Sequence, residues 1–346
     1  MRQSDLAIEV VEQFIGEASG EKSGIIKDEK QIGDLLVTTI DIKKSYEKKA
    51  GKKAGRYVSI DTSGQGLETA EKLEATRRVF SETLTAFLHY KKIKKNASCL
   101  VVGLGNEHIT PDALGPMTLE NLMVTRHLYE IAHDEIKDTY RKVSALAPGV
   151  MGLTGIETYD IIESVTQKIK PDFLIVVDAL AARAARRVNK MIQMTDTGIS
   201  PGSGVGNARR TIDESSLGIP VIAIGIPTVV DAISVTYDTI DLLLRHIEKN
   251  LAKKKKPQTN EEASGDQTGH LQNETVINAQ IRKEFLGKIG MLSNDEKRQL
   301  LAEVLTPTGH NLIVTPKNID SEMADLSRLI SNGLNVALHP DVSFVV

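Results

Sequence analysis

The chain has 346 residues, of which 40% are hydrophobic and 4% aromatic, with no tryptophan, and its net charge is −3. This length can bury a sizeable, mainly aliphatic core in one large domain or two ordinary ones. A slightly acidic chain argues against direct binding to nucleic acid, because such domains are usually strongly basic. The single cysteine, Cys99, excludes an internal disulfide and fits a reducing compartment.

The sequence predicts a cytoplasmic protein without membrane contact. Acidic residues stand near the N-terminus where a signal peptide would have an apolar block. No stretch reaches the roughly 18 apolar residues that a membrane-spanning helix needs.

The N-terminal part of the chain predicts a peripheral structure. Residues 1–24 are polar and acidic and predict a loosely held arm. Residues 35–42 and 56–60 alternate polar and apolar side chains on either side of a basic, glycine-bearing connection, which predicts a hairpin over residues 34–61. Residues 67–92 have the spacing of apolar side chains that is typical of a helix.

The central part of the chain alternates apolar runs with helical patterns. The runs predict strands at 97–103, 142–147, 172–177 and 220–225. The patterns predict helices at 117–133, 155–168, 179–189 and 229–249. Strands that are continuously apolar are expected to be covered on both faces. The fold class is therefore α/β, a three-layer and mainly parallel sheet with helices on both faces.

The C-terminal part begins with a change of composition. Residues 253–280 are basic and then polar, and they predict a flexible linker. Residues 281–346 predict a helical part with helices at 281–305 and 318–334 and a short strand between them. Together with the preceding elements, this part belongs to a single predicted domain, residues 25–346.

Three aspartates follow the predicted strands at one edge of the sheet, where ligands usually bind in such folds. They are Asp112, Asp178 and Asp231. Paired carboxylates can hydrolyse a peptide, since an ionised one activates water and a protonated one polarises the carbonyl. Structural alternatives remain open, because Asp178 could cap a helix, Asp112 could be a turn residue and Asp231 could lie at a helix start.

Other catalytic motifs fail at particular positions. A dinucleotide fingerprint would need glycine where His108 stands, and no phosphate-binding P-loop occurs. Ser203 has Pro201 two residues before it and is not a nucleophile elbow. Asp196 begins an Asp-Thr-Gly tripeptide like that of pepsin-type proteases, but those enzymes are all-β and use two copies.

The chain resembles the germination protease family, which degrades small acid-soluble spore proteins in bacterial spores. The resemblance runs through SCLVVGLGNEHITPDALGP, APGVMGLTGIET, PDFLIVVDALAARAARRVN and GIPVIAIGIPTVVDAI, and it covers nearly the whole chain from residue 97. It implies an atypical aspartic endopeptidase whose essential aspartates are Asp112 and Asp178. It also implies a fold similar to that of hydrogenase maturation proteases, a homotetramer, location in the forespore or spore core, and no cofactor.

The resemblance further implies a self-processing zymogen. The family's target motif is Ser or Thr, Glu, an apolar residue, Ala, any residue and Glu. Residues 4–9 read SDLAIE and match it with Asp5 in place of the first Glu, which predicts cleavage between Asp5 and Leu6. Residues 1–24 would then contain the pro-segment. The acidic motif needs cationic partners, and the candidates are Arg183, Arg186, Arg187, Arg209 and Arg210.

Two other hypotheses remain. A metal-dependent peptidase resembling hydrogenase maturation proteases would use Asp112, Asp178 and His108 as ligands, and sensitivity to chelators would reveal it. A non-enzymatic binding module on the same sheet would cleave no peptide.

Overall fold

The computed structural model describes residues 4–15, 24–131, 139–201, 210–254, 287, 289, 291–305 and 312–342. The chain divides into two compact units, residues 1–230 with 315–346 and residues 231–314, and each is described by itself. The division of the chain into a segment over residues 1–24 and a single domain over residues 25–346 stays a prediction. Most of the predicted linker, from residue 255 onwards, lies outside the described residues.

The strands, in chain order, are β1 (Ile25–Ile32), β2 (Leu35–Ile42), β3 (Gly55–Asp61), β4 (Cys99–Gly103), β5 (Val143–Leu146), β6 (Phe173–Ala182), β7 (Met191–Thr195), β8 (Val221–Asp231) and β9 (Ile313–Val314). The helices are α1 (Ala7–Ile15), α2 (Glu47–Ala50), α3 (Ala70–Tyr90), α4 (Leu114–Glu120), α5 (Leu128–Ile131), α6 (Met151–Thr154), α7 (Thr158–Ile169), α8 (Glu214–Leu217), α9 (Ala232–Lys254), α10 (Asn294–Leu305) and α11 (Ile319–Leu338). The second unit comprises α9, α10 and β9.

The sheet of the first unit runs in the order β1-β2-β3-β7-β8-β6-β4-β5. The strands β8, β6, β4 and β5 pair in parallel, and they are the four that the apolar runs predict. The remaining pairs are antiparallel, including the predicted hairpin of β2 and β3. The predicted α/β fold is confirmed. Two strands were not predicted from the sequence: β1, in which half of the residues are charged and most are exposed, and β7, which is short.

Side chains on both faces of the parallel strands are buried, which explains their continuous apolar sequences. Val101 and Ile175 point towards a core that contains Phe80 of α3 and Leu334 of α11. Their neighbours along each strand point the other way, into a core that contains Ile162 of α7. Helices therefore cover both faces, as the sequence predicts.

The predicted helix at 179–189 is wrong. β6 continues through this region to Ala182, and only a single 3-10 turn, Ala185–Arg187, follows. The alanine-rich sequence favours a helix locally, but residues up to Ala182 pair with β8 as far as Val230. Tertiary hydrogen bonding outweighs a propensity of a few tenths of a kcal/mol per residue.

The predicted helix at 117–133 is also wrong in extent, because α4 ends at Glu120 and α5 begins only at Leu128. Asn335 of α11 binds the connection from both sides. Its Oδ1 accepts a 2.8 Å hydrogen bond from the Met123 N–H, and its Nδ2 donates a 3.0 Å bond to the Asn121 carbonyl oxygen. These contacts satisfy backbone groups that a continuous helix would have used.

Residues 4–15, the described part of the predicted arm, are packed and not loosely held. Leu6 and Ala7 are fully buried, and Ile8 and Val11 are 5% and 1% exposed. These apolar side chains interrupt an otherwise acidic sequence, and burying them holds the segment in place.

No helix in the described part of the chain is long and apolar enough to cross a membrane.

Candidate active site

Asp178 lies inside β6, opposite Gly225 of β8. Asp178 is only 8% exposed, and the Ala179 N–H donates a 2.9 Å hydrogen bond to its Oδ1. The alternative that Asp178 merely caps a helix is wrong, because no helix begins here. Burial of a carboxyl group in the interior of a sheet costs free energy and therefore points to a use.

Asp112 ends a 3-10 turn, Thr110–Asp112, that follows β4. The Asn106 N–H donates a 2.8 Å hydrogen bond to its Oδ2, which orients the carboxylate. Gly105 makes this loop possible, because its φ is +115° and a Cβ there would lie 1.9 Å from the Asp112 carbonyl oxygen. Only glycine tolerates both this conformation and this approach.

The pKa values of both carboxyl groups are raised, and the charge of Asp112 contributes to the shift at Asp178. Burial raises the pKa of Asp112, and the hydrogen bond from Asn106 partly opposes this effect. Burial raises the pKa of Asp178 well above its ordinary value, and the charges of Asp112 and Asp5 raise it further. Neighbouring carboxylates cannot both ionise cheaply, so this arrangement favours a pair that shares one proton.

Asp5 of the N-terminal segment lies against β6 beside this pair. Its Oδ2 accepts a 2.9 Å hydrogen bond from the Ala181 N–H, and its own N–H donates a 3.3 Å bond to the Ala181 carbonyl oxygen. Ala181 is three residues beyond Asp178 on the same strand. The predicted cleavage segment is thus bound next to the predicted catalytic residues.

Glu9, the second acid of the matched motif, is 4% exposed and is bound by the chain that follows β6. The N–H groups of Arg183 and Ala184 donate hydrogen bonds of 2.8 and 3.0 Å to its two carboxylate oxygens. Nη1 of Arg187 lies 3.5 Å from Oε1 of Glu9, and the Ser4 hydroxyl also binds the carboxylate. Arg187 is 5% exposed and binds Glu12 as well.

The carbonyl oxygen of Asp5, which belongs to the predicted cleavage bond, accepts two hydrogen bonds. The donors are Lys52 Nζ and Gln193 Nε2, each at 3.1 Å. Gln193 Oε1 also accepts a 2.7 Å bond from the Ala7 N–H. Neither residue was predicted from the sequence, because Lys52 lies in a basic connection and Gln193 lies in β7, a strand that was not predicted. No local pattern distinguishes them from neighbouring polar residues.

The other predicted arginines are less closely placed. Arg186 is exposed. Arg210 is exposed and pairs with Asp160 of α7, with its Nη1 3.3 Å from a carboxylate oxygen. Arg209 lies outside the described residues. Among the candidates, Arg183 and Arg187 are those that bind a motif glutamate, the former through its backbone.

Three remaining candidates have local partners. Asp231, the last residue of β8, accepts hydrogen bonds of 2.8 and 2.7 Å from the N–H and hydroxyl of Ser234, as a residue before a helix does. Asp196 accepts a 2.8 Å bond from the backbone N–H of Arg56. His108 is exposed and lies 3.7 Å from a Glu107 carboxylate oxygen. Among the described residues, no group of three or more His, Cys, Asp or Glu side chains could hold a metal ion.

The germination protease family matches residues 2–344 of this chain, and so includes both aspartates and the N-terminal segment. The chain belongs to the germination protease family. It is therefore a protease. The sequence is similar to those of several germination proteases. The germination protease of Bacillus velezensis is 49% identical to this chain, and the alignment covers 99% of this chain and 94% of the relative. That of Bacillus subtilis is 47% identical with the same coverage. That of Priestia megaterium is 46% identical over 93% of this chain and 88% of the relative.

Among solved structures, this chain is similar to a [NiFe] hydrogenase maturation protease from Thermococcus kodakarensis. The sequence identity is 17%, and the match covers 42% of this chain and 80% of the other. The TM-score of 0.28 is too low to support an argument about the site.

Proposed function

We propose that this protein is an endopeptidase that initiates the degradation of small acid-soluble spore proteins during germination, by an aspartic-type mechanism with Asp112 and Asp178. It acts in the forespore and spore core as a homotetramer, is made as a self-processing zymogen and needs no cofactor. Membership of the germination protease family and the resemblance in the sequence support this substrate and setting. The observation that carries the mechanism is that Asp178 is buried in β6 close enough to the half-buried Asp112 for burial, and then the charge of Asp112, to raise its pKa.

The two aspartates divide the chemistry between them. Asp178, which is the more buried and feels the charges of Asp112 and Asp5, retains the proton. Asp112, oriented by the Asn106 N–H, is the carboxylate that removes a proton from the attacking water. As the peptide bond breaks, the proton on Asp178 passes to the leaving nitrogen. This assignment follows the rule that environments which push two pKa values apart define an acid and a base.

The bound N-terminal segment supports the proposed substrate specificity. Its two acids, Asp5 and Glu9, are both held by backbone N–H groups of β6 and of the chain after it. The guanidinium of Arg187 adds a charge partner for Glu9. A substrate with the family's acidic motif would make the same contacts after replacing the segment. Cleavage between Asp5 and Leu6 would release residues 1–5, and with them Asp5, from β6.

The test is digestion of a purified small acid-soluble spore protein, with the products mapped by mass. Cleavage after the first acid of the motif is expected, and none is expected from Asp112→Asn. The same digestion in the presence of a chelator distinguishes the aspartic-type mechanism from the metal-dependent alternative. If the chelator abolishes activity and zinc restores it, the metal-dependent alternative is favoured. Sedimentation measures the oligomeric state, and a monomer that is fully active would contradict the tetramer.

A further inference from the structure

We propose that Lys52 and Gln193 form the site that binds the carbonyl oxygen of the peptide bond to be cleaved. This inference rests on the proposed function, because it takes the bound segment as a stand-in for a substrate. Both side chains donate to one acceptor, the Asp5 carbonyl oxygen, at 3.1 Å each. Two donors that converge on a single carbonyl oxygen are the arrangement that stabilises negative charge on that oxygen during hydrolysis.

Register in the sheet places Gln193 and Asp178 on the same face of the sheet. Both residues lie opposite Gly225 of the intervening strand β8. Residues in register point to the same face of a sheet, and two strand spacings separate them by about 10 Å. The Leu180 side chain of β6 covers Gly225, since a Cβ there would lie 2.5 Å from Leu180 Cγ. Gln193 of β7 donates to the carbonyl oxygen of the bound Asp5, and the charge of Asp5 acts on Asp178 of β6.

Lys52 differs from its neighbour Lys53 in what it binds. Lys53 is exposed and forms a 2.6 Å ion pair with Asp213, an ordinary surface interaction. Lys52 Nζ instead donates to two backbone carbonyl oxygens, those of Ser4 at 2.6 Å and Asp5 at 3.1 Å. Burial lowers the pKa of Lys52, and the charges of Asp5 and Glu9 oppose this effect. A partly buried cation that binds peptide carbonyls is suited to an oxygen that becomes negative.

The hydrolytic step balances with these residues in place. The water oxygen bonds to the carbonyl carbon while Asp112 takes a water proton, and the carbonyl oxygen becomes an oxyanion held by Lys52 and Gln193. The oxyanion then re-forms the double bond as the carbon–nitrogen bond breaks, and the nitrogen takes the proton of Asp178. Lys52 and Gln193 release no proton and return unchanged.

A kinetic experiment compares Lys52→Met and Gln193→Leu with Lys53→Met, using a small acid-soluble spore protein as substrate. Loss of one such donor is expected to lower kcat by roughly 10² to 10³-fold, with a much smaller change in KM, because the interaction strengthens in the transition state. Lys53→Met should keep the kcat of the parent. Lys52→Arg, which retains a cationic donor, should recover part of the loss and guards against a variant that fails to fold.

A second measurement does not depend on activity. In the uncleaved Asp112→Asn chain, carbon-13 in aspartate carbonyls and nitrogen-15 in leucine select only Asp–Leu peptide bonds. The sequence has four: Asp5–Leu6, Asp34–Leu35, Asp241–Leu242 and Asp325–Leu326. Loss of its hydrogen bonds should move the Asp5 carbonyl signal to lower frequency when Lys52→Met or Gln193→Leu is added. The other three signals, and all four with Lys53→Met, should stay.

The two measurements separate the possible failures. If the parent chain cleaves its substrate and the Lys52 and Gln193 variants keep its kcat, the inference is wrong and the proposed function stands. If the parent chain cleaves nothing, the proposed function is wrong, and the Asp5 carbonyl signal alone decides whether these residues bind that oxygen. An unmoved signal then overturns the inference too.

Discussion

The Asp5 carboxylate accepts a 2.9 Å hydrogen bond from the backbone N–H of Ala181. This contact ties the N-terminal segment to the strand that carries Asp178, and it brings a third carboxylate close enough to raise the Asp178 pKa. The segment that matches the family's cleavage motif and the pair of candidate catalytic residues are therefore coupled electrostatically.

Asp112→Asn and Asp178→Asn should each lower kcat by roughly 10² to 10⁴-fold, since an amide keeps the shape of the side chain but cannot exchange a proton. The circular dichroism spectrum should not change. Asp231→Asn is the matched control, because asparagine also suits the position before α9, and its activity should equal that of the parent. Near-normal kcat in either dyad variant would show that the pair is wrongly assigned.

Asp178→Asn should make the protein more stable near neutral pH. The native state binds the Asp178 proton more tightly than the unfolded chain does, since the native pKa is raised. The free energy of unfolding therefore falls as the pH rises from the Asp178 pKa in the unfolded chain, near 3.9, through its pKa in the native state. The variant should unfold at a higher temperature than the parent near pH 7, and the difference should vanish towards about pH 4. A constant difference across this range would contradict the raised pKa.

Gly105→Ala should lower activity by about 10²-fold or more, because the new methyl group would collide with the Asp112 carbonyl oxygen and displace the carboxylate. Gly218→Ala is the control. Gly218 also has a positive φ, of +72°, but no atom lies within 4 Å of its added Cβ. That substitution should cost only about 1 kcal/mol of backbone strain and leave kcat unchanged. Equal effects of the two substitutions on kcat would mean that the Gly105 contact does not position Asp112.

Arg187→Met should destabilise the uncleaved chain by about 3 kcal/mol, because it leaves the buried Glu9 without its charge partner. The expected loss is at the lower end of the range for a broken buried ion pair, since Glu9 keeps its backbone hydrogen bonds. Arg186→Met, at the exposed neighbour, should change the free energy of unfolding by less than about 0.5 kcal/mol. Urea unfolding measures both. If Arg187 also binds substrate glutamates, its loss should raise KM, whereas an unchanged KM would restrict its role to the segment.

Mild acid should trigger self-processing between Asp5 and Leu6. As the pH falls, Asp178 takes up its proton and the repulsion among the three carboxyl groups weakens, so the singly protonated pair becomes populated. N-terminal sequencing after incubation should find a new terminus at Leu6. Asp112→Asn should keep its original terminus under the same conditions. An intact Met1 in fully active enzyme would exclude this form of activation.

The parallel half of the fold and both candidate catalytic residues could be predicted from the sequence. The apolar runs of β4, β6 and β8 are buried on both faces, so they appear as continuous hydrophobic sequence, and the acids that follow or end such runs stand out. This pattern indicates Asp112, Asp178 and Asp231, and the resemblance to the family selects the first two as the catalytic candidates. The motif at residues 4–9 could also be found from the sequence, because it depends only on the order of residues.

What depended on pairing between distant strands could only be decided by the tertiary structure. The alanine-rich chain after Asp178 has the local preference of a helix, yet hydrogen bonds to β8 make it a strand as far as Ala182. Lys52 and Gln193 are 141 residues apart in the sequence and meet at the Asp5 carbonyl oxygen. Neither residue type is unusual in its own segment. Convergence of donors on one atom is a property of three-dimensional packing, and no local pattern encodes it.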